Sequence, residues 1–118
     1  MKKIRIIGFI VAIFILSALG GGDDYAEFKK EPEYITNPAP HQKAYFEAYD
    51  RTMDHWEVPY EDLYIPTSHG TAHVIVSGPQ NATPIVLLNG LSSSATMWYP
   101  NAKALTQHYR IFAIDLLI

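Results

Sequence analysis

The chain has 118 residues, of which 48% are hydrophobic and 18% charged, with no cysteine and a formal net charge of −3 at pH 7. This length leaves room for one small domain at most, and the lack of cysteine excludes a disulfide framework, a thiolate metal site and a cysteine nucleophile. The acidic balance argues against nucleic acid as a partner, because there is no basic stripe to neutralise phosphates.

Residues 1–22 have the features of an export signal or a membrane anchor. Lys2, Lys3 and Arg5 precede an uncharged stretch over residues 6–22, which ends in small residues. A basic head, an apolar body and a small-residue exit are typical of a secretory signal, and the stretch is at the lower limit for spanning a bilayer. The sequence therefore predicts a secreted or membrane-anchored protein, with the basic side cytoplasmic. Whether the signal is cleaved stays open.

An acidic, proline-containing linker is predicted over residues 23–40, either as a tether or as a loosely docked arm. It leads into a domain over residues 41–118, which starts with an amphipathic helix over residues 41–56. The apolar stripe of that helix is interpreted as core-facing, with a ligand groove as the alternative, and consists of Tyr45, Tyr49, Met53 and Trp56. The histidines His41 and His55 are expected to be solvated.

A β-hairpin follows, with strands over residues 62–67 and 71–77 around a turn that contains Gly70. Pro66 favours an edge position for the first strand, since proline cannot donate to a sheet ladder.

A βαβ crossover makes up the rest of the chain. The aliphatic run 84–89 is typical of a strand buried on both faces, and the small, polar residues 90–96 form a loop before a helix over 98–108. A second buried strand over 110–115 ends in a carboxylate. This order predicts parallel pairing of the two strands.

The crossover carries a resemblance to a known family. Residues 87–94 (Leu-Leu-Asn-Gly-Leu-Ser-Ser-Ser), continued through 97–100 and 109–117, are similar to the α/β-hydrolase superfamily, in particular to bacterial carboxylesterases. The resemblance covers about Tyr45 to Ile118. It implies an α/β class and a partial α/β-hydrolase fold, in which the hairpin and first crossover give a strand order that begins 1-2-4-3.

The resemblance also implies a role for the loop after the first parallel strand. In this family the backbone N–H after the loop glycine stabilises the oxyanion of the tetrahedral intermediate. That N–H belongs to Leu91 here, and Gly90 is expected to permit the sharp turn that aims it inward. Asn89 stands where the family usually has His and is expected to support the loop by hydrogen bonding. A plain strand-to-helix turn, with serines and a threonine capping the helix, is the alternative.

A catalytic triad is missing from the sequence. The family needs a Gly-x-Ser-x-Gly elbow, then an acid and then a histidine, and no Gly-x-Ser-x-Gly occurs here. Substitutes from the remaining side chains are disfavoured, because neither their order nor their placement fits a triad; they are Ser92, Ser93, Ser94, His69, His73, His108 and Asp115. We therefore expect the N-terminal fragment of an exported or membrane-anchored serine hydrolase, from a truncated gene or an incomplete sequence, inactive by itself.

Two further interpretations remain open. One is a non-catalytic, membrane-associated surface protein, in which residues 85–89 form an open sheet edge that recruits a partner strand. The other is an enzyme completed by a separate C-terminal half. The expected substrate of the full-length family is a small acyl ester, the expected membrane contact is through residues 6–22, and no cofactor or metal is predicted.

Overall fold

The computed structural model describes residues 25–115. The predicted address segment, residues 1–22, lies outside them. Four strands form one sheet in the order β1-β2-β4-β3, which confirms the order that the resemblance implies. The strands are β1 (Tyr60–Thr67), β2 (Gly70–Ser77), β3 (Thr83–Leu88) and β4 (Tyr109–Ile114).

The helices lie before and between these strands. A 3₁₀ turn, Ala26–Phe28, and α1, Glu33–Thr36, precede the amphipathic helix α2, Pro40–Met53. A second 3₁₀ turn, Ala95–Trp98, runs directly into α3, Tyr99–Leu105, which leads to β4. None of the helices within residues 25–115 is long and apolar enough to cross a membrane.

Strand pairing confirms the hairpin and the crossover. β1 and β2 pair antiparallel with Leu63 opposite Val74, and β3 and β4 pair in parallel with Ile85 opposite Ile111. β2 joins β4 antiparallel, so the two units form one mixed sheet. β1 is an edge strand, as Pro66 predicts.

The sheet is packed on both faces because the side chains of its central strands alternate. Val74 and Val76 of β2 lie in one cluster together with Phe112 of β4, whereas Ile75 and Ile111 lie in the cluster on the opposite face. The prediction of a buried strand over residues 110–115 is confirmed, since all residues of β4 except the first are buried.

The prediction that residues 84–89 are buried on both faces is wrong. Within the described part of the chain only Leu87 of β3 is buried, and Leu88 is 44% exposed. The reason is position: β3 is an edge strand with a neighbour on one side among residues 25–115, so fewer side chains cover it than cover the central strands.

The stripe of α2 faces the core at its C-terminal end. Met53, the last residue of α2, and Trp56, which lies beyond the end of the helix and not within it as predicted, are buried against the sheet. Tyr49 packs beside them. Tyr45 is 58% exposed, so its prediction as a core residue is wrong. Tyr45 lies one helical turn before Tyr49, and its ring contacts the rings of its helix neighbours Phe46 and Tyr49.

The predicted linker is docked at its beginning. Tyr25 is buried at 6% exposure in the core cluster that contains Phe112. The guanidinium carbon of Arg110 lies 5.6 Å from the centre of the Tyr25 ring and 5.9 Å from that of Phe112, within the range of a cation–π contact. The contacts at Tyr25 are those of a docked segment, and the assignment of residues 23–40 as a linker stays a prediction.

Candidate functional site

The loop that leaves β3 is a tight turn at the carboxyl end of the parallel strand pair. The Ser93 N–H donates to the Gly90 carbonyl at 3.2 Å, so Leu91 and Ser92 occupy the two central positions. Ser92 has φ 59°, a left-handed conformation that is uncommon for a residue with a side chain. Such a φ at the third residue of a turn is the hallmark of type II geometry.

The expectation that Gly90 supplies the conformational freedom for this turn is wrong. Its φ is not among the positive ones of residues 25–115, and a Cβ built on it meets nothing within 4 Å. The left-handed residue is Ser92. The unfavourable backbone conformation of the turn is therefore at Ser92, two residues after the glycine.

Asn89 holds the loop from inside. It is 6% exposed, and its side-chain Nδ2 donates to the carbonyls of Gly90 at 3.0 Å and Ser93 at 2.8 Å. These bonds satisfy carbonyl groups at both ends of the turn, which would otherwise need water. The contacts are those of a loop-supporting side chain, and the catalytic significance of Asn89 stays a prediction.

Leu91 lies at the tip of the turn. Its side chain is 80% exposed, and no oxygen of residues 25–115 accepts a hydrogen bond from its amide. An unpaired amide at the carboxyl end of a parallel sheet is the type of group that binds a developing oxyanion. Its role as the oxyanion donor is untested and stays a prediction.

Asp115 fastens the far end of the loop to the sheet. Its Oδ1 accepts the Ala95 N–H at 2.6 Å, where the loop turns into the 3₁₀ segment. Its Oδ2 accepts the hydroxyl of Tyr49 at 2.8 Å and lies 2.6 Å from Nδ1 of His73. One strand-end carboxylate thus joins the loop, α2 and β2.

His73 lies between two carboxylates. Its Nδ1 faces Asp115 and its Nε2 lies 2.8 Å from Oδ1 of Asp62 on β1. Burial opposes a charge on the ring, but hydrogen bonds with Asp115 and Asp62 outweigh it and raise the pKa of His73 to about 9. The imidazolium form is favoured because it donates from both nitrogens, whereas a neutral ring would turn a lone pair toward one carboxylate.

The same contacts shift the neighbouring acids. Burial acts to raise the pKa of Asp115, but hydrogen bonds from His73, the Ala95 backbone and Tyr49 bring it below its usual value. Burial and the charge of Asp115 raise the pKa of Tyr49 far above the usual value for tyrosine. At neutral pH the cluster therefore holds one cation, two carboxylates and a neutral phenol.

This arrangement holds the ring of His73 in place and does not make it a general base. A histidine that donates from both ring nitrogens has no lone pair with which to accept a proton from a nucleophile. The other candidates make different contacts: Ser94 Oγ pairs with Thr96 Oγ1 at 2.6 Å, the backbone N–H of His69 donates to Thr67 Oγ1 in the hairpin turn, and His108 is exposed. No group of three acidic or histidine side chains within residues 25–115 is arranged to hold a metal ion.

Sequence reasoning considered His73 and Asp115 only as members of a triad and missed their pairing. A signal was present, since His73 lies within one largely apolar strand and Asp115 at the end of another, and the predicted strand order places these two strands side by side. The register needed to align them comes from the antiparallel pairing of β2 and β4, where Val74 lies opposite Ile114.

The chain is similar in sequence to two carboxylesterases of Bacillus subtilis. The chain is 42% identical over 73 residues to the uncharacterised carboxylesterase Nap of Bacillus subtilis, a match that covers 62% of this chain and 24% of the relative. It is 37% identical over 73 residues to the carboxylesterase YbfK of the same organism, covering 62% of this chain and 25% of the relative. The chain thus spans about a quarter of the length of these relatives. No family model matches it.

Solved structures of bacterial carboxylesterases are also similar to this chain. The naproxen esterase (carboxylesterase NP) from Bacillus subtilis superposes with a TM-score of 0.65 at 39% identity, covering 67% of this chain and 28% of that one. The carboxylesterase CesB (YbfK) from the same organism superposes with a TM-score of 0.61 at 35% identity, with the same coverage.

Proposed function

We propose, on the premise that this chain is homologous to bacterial carboxylesterases of the α/β-hydrolase superfamily and has part of their fold, that it supplies the oxyanion loop of a serine esterase. The Leu91 amide is the proposed donor to the oxygen that gains negative charge when an ester carbonyl is attacked. Asn89 supports the loop through its side-chain hydrogen bonds, and Gly90 supplies a carbonyl that accepts one of them. The substrate class is a small acyl ester, as the names of the relatives suggest.

The observation that carries this proposal is the position of the Leu91 turn. It follows directly from β3 at the carboxyl end of the parallel β3–β4 pair, and open α/β sheets bind their ligands beyond the carboxyl ends of their strands. Asn89 and Asp115 hold the two ends of the loop. A fixed loop is what oxyanion stabilisation needs, because donors that are already oriented require no reorganisation when the charge develops.

The chain by itself is proposed to be inactive. An amide donor stabilises an oxyanion but cannot form the acyl-enzyme, which needs an activated nucleophile, and the described histidine beside the loop, His73, is engaged by two carboxylates. We expect no turnover of p-nitrophenyl acetate or butyrate by the 118-residue chain and no labelling by a fluorophosphonate. Labelling of the chain would contradict this. Turnover that appears only on co-expression with the C-terminal portion of a relative would instead support a complementing half.

A chimera tests the role of the Leu91 amide. The matching segment of the naproxen esterase from Bacillus subtilis is replaced by this chain's segment, and ester hydrolysis is measured. Leu91→Pro removes the N–H at a turn position where proline is common, and it is expected to lower kcat by about 100-fold or more. Leu91→Ala keeps the N–H and should retain activity within about threefold, as one expects for an exposed side chain. Equal activity of the two variants would refute the proposal.

Export or anchoring through residues 6–22 is also a proposal. It is supported by the basic residues before this uncharged stretch. A fusion of the chain to a phosphatase that is active only outside the cytoplasm is expected to be active, and deletion of residues 1–22 should abolish that activity. The size of the exported product, compared with that of the full chain, separates a cleaved signal from an uncleaved anchor.

The second candidate function is that this chain is a non-catalytic interaction protein, which recruits a strand of a partner to the edge of its sheet. It is favoured by the edge position of β3, which among residues 25–115 pairs with β4 alone, since an unpaired strand edge is a template for another strand. Cross-linking of the purified chain distinguishes the two functions. A monomer that binds no strand-donating peptide would eliminate this candidate and leave the esterase proposal untouched.

A further inference from the structure

A charged cluster beside the loop is formed by Asp62, His73, Asp115 and Tyr49. His73 lies in the middle of β2, with its side chain 17% exposed, and it is approached from three elements. Asp62 faces it from β1, Asp115 from the end of β4, and Tyr49 from α2, where the phenol oxygen lies 3.3 Å from Nδ1. The ring is therefore fixed by groups that are themselves anchored in secondary structure.

Aromatic rings complete the enclosure of the imidazole. The Tyr64 ring of β1 lies 5.2 Å from that of His73 at 31°, and the Tyr49 ring lies 5.6 Å away, edge-on at 69°. Both phenols have a pKa above the ordinary value, chiefly because of burial and then of carboxylate charge. The groups of residues 25–115 that face His73 are thus two carboxylates and two neutral phenols, and the imidazole supplies the positive charge among them.

Asp115 divides its two oxygens between the cluster and the loop. Oδ2 faces His73 and Tyr49, while Oδ1 accepts the amide of Ala95. The Asp115 backbone N–H also donates to the carbonyl of His73 at 3.0 Å. Because a carboxylate is rigid and planar, a histidine that fixes Oδ2 also fixes the direction in which Oδ1 meets the loop.

Ala95 is where this constraint reaches the Leu91 turn. Ala95 is fully buried and begins the 3₁₀ segment four residues after Leu91. Asn89 holds the beginning of the turn and Asp115 holds the residue beyond its end. The loop is thus clamped at two points, and one of them depends on a charged side chain in β2.

We propose that His73 is a positioning residue, which orients the Asp115 carboxylate and, through the Ala95 amide, sets the conformation of the loop that carries Leu91. The use of this loop in ester hydrolysis rests on the proposed function, but the coupling between His73 and the loop does not. Removal of the imidazole or of its charge is expected to loosen residues 91–96 while the β1–β2 hairpin stays ordered.

The experiment is nuclear magnetic resonance of the full 118-residue chain in detergent solution, labelled with ¹³C and ¹⁵N. Three signals are followed from pH 6 to 10: the imidazole of His73, the carboxylate carbon of Asp115 and the methyl group of Ala95. All three are expected to shift with one common midpoint above pH 8. A His73 midpoint above pH 8 with an unmoved Ala95 methyl would overturn the proposal, and so would a His73 midpoint near pH 6.5.

Variants separate the coupling from a general loss of structure. In His73→Leu the amides of residues 94–96 are expected to exchange with solvent at least tenfold faster, with the hairpin amides unchanged, and the pH-dependent shift of the Ala95 methyl should vanish. The control, His108→Leu, removes an exposed histidine and should change neither. If His73→Leu does not fold, the wild-type titration alone decides. These signals need no enzyme activity, so their failure is distinguishable from failure of the esterase proposal.

Discussion

The carboxylate of Asp115 and the imidazole of His73 meet at 2.6 Å, although 42 residues separate them in the chain. The contact joins the end of β4 to the middle of β2, and the same carboxylate accepts the amide that begins the 3₁₀ segment after the Leu91 turn. A charged pair that is mostly shielded from water is therefore part of the support of the loop. Its consequences for stability and for pH dependence can be tested.

The first prediction concerns alkaline pH. The pKa of His73 is raised from 6.5 to about 9, so its contribution to stability is fully present below about pH 6.5 and is lost as the pH rises through 9. The full shift corresponds to about 3 kcal/mol. Urea unfolding of the 118-residue chain is expected to show this loss between pH 7 and 10. His108→Leu should retain the loss and His73→Leu should remove it; the same pH dependence in both variants would contradict the assignment.

The second prediction concerns acid pH and the other partner. The pKa of Asp115 lies below its ordinary value, so its contribution is present above that value and is lost as the pH falls through the lowered pKa. Asp115→Asn removes the charge at all pH values, and it should destabilise the chain by about 2 kcal/mol at pH 7 because His73 and the Ala95 amide lose a charged partner.

The matched control for Asp115→Asn is Asp50→Asn, which neutralises an exposed carboxylate on α2 and should change the free energy of unfolding by no more than about 0.5 kcal/mol. In Asp115→Asn the pKa of His73 should also fall. If the two variants were equally stable, the role given to the strand-end carboxylate would be wrong.

A third prediction compares two glycines. Gly78 has φ +101°, and a Cβ there would lie 2.3 Å from the Tyr109 carbonyl oxygen, so Gly78→Ala should cost more than about 2 kcal/mol through strain and displacement of β4. Gly90→Ala meets open space without a positive φ and should cost less than about 1 kcal/mol. Thermal unfolding of both variants gives the comparison. A larger loss for Gly90→Ala would mean that the turn geometry is different.

A fourth prediction concerns the buried indole of Trp56. Its Nε1–H donates to Ser77 Oγ at 2.8 Å, and the Ser77 hydroxyl donates to the Pro59 carbonyl at 2.8 Å. Ser77→Ala leaves a fully buried donor without this acceptor, so it should destabilise the chain by about 1–3 kcal/mol. In the Trp56→Phe background the same substitution should cost less, since the donor is gone; additive losses in the double mutant would argue against the bond.

The exposed Ser93 supplies a control for that cycle. Its side chain lies on the surface of the Leu91 loop, so Ser93→Ala should change the free energy of unfolding by no more than about 0.5 kcal/mol. Chemical denaturation followed by tryptophan fluorescence measures all of these variants, since Trp98 is present in each of them.

Local pattern was enough to predict the four strands and the presence of the two longer helices, but not the 3₁₀ turn Ala26–Phe28 or helix α1, which lie in the predicted linker. The alternation in residues 62–77 with Gly70 at the turn specifies a hairpin, because side chains on a strand point to opposite faces in turn. The apolar strand over 110–115 and the short helix before it specify a parallel crossover. For these elements the decisive interactions are between residues near in sequence, or depend on hydrophobicity alone.

The charged cluster depended on the tertiary structure. Whether His73 meets Asp115 is decided by the register between β2 and β4, two strands that are distant in the sequence. The exposure of Tyr45 and of β3 likewise depends on how far neighbouring elements extend over them. Sequence determined the four strands, the two longer helices and the small, polar loop after β3. Only the packed sheet decided which charges meet and thus what holds that loop, because electrostatic contacts require distant segments to come within a few ångströms.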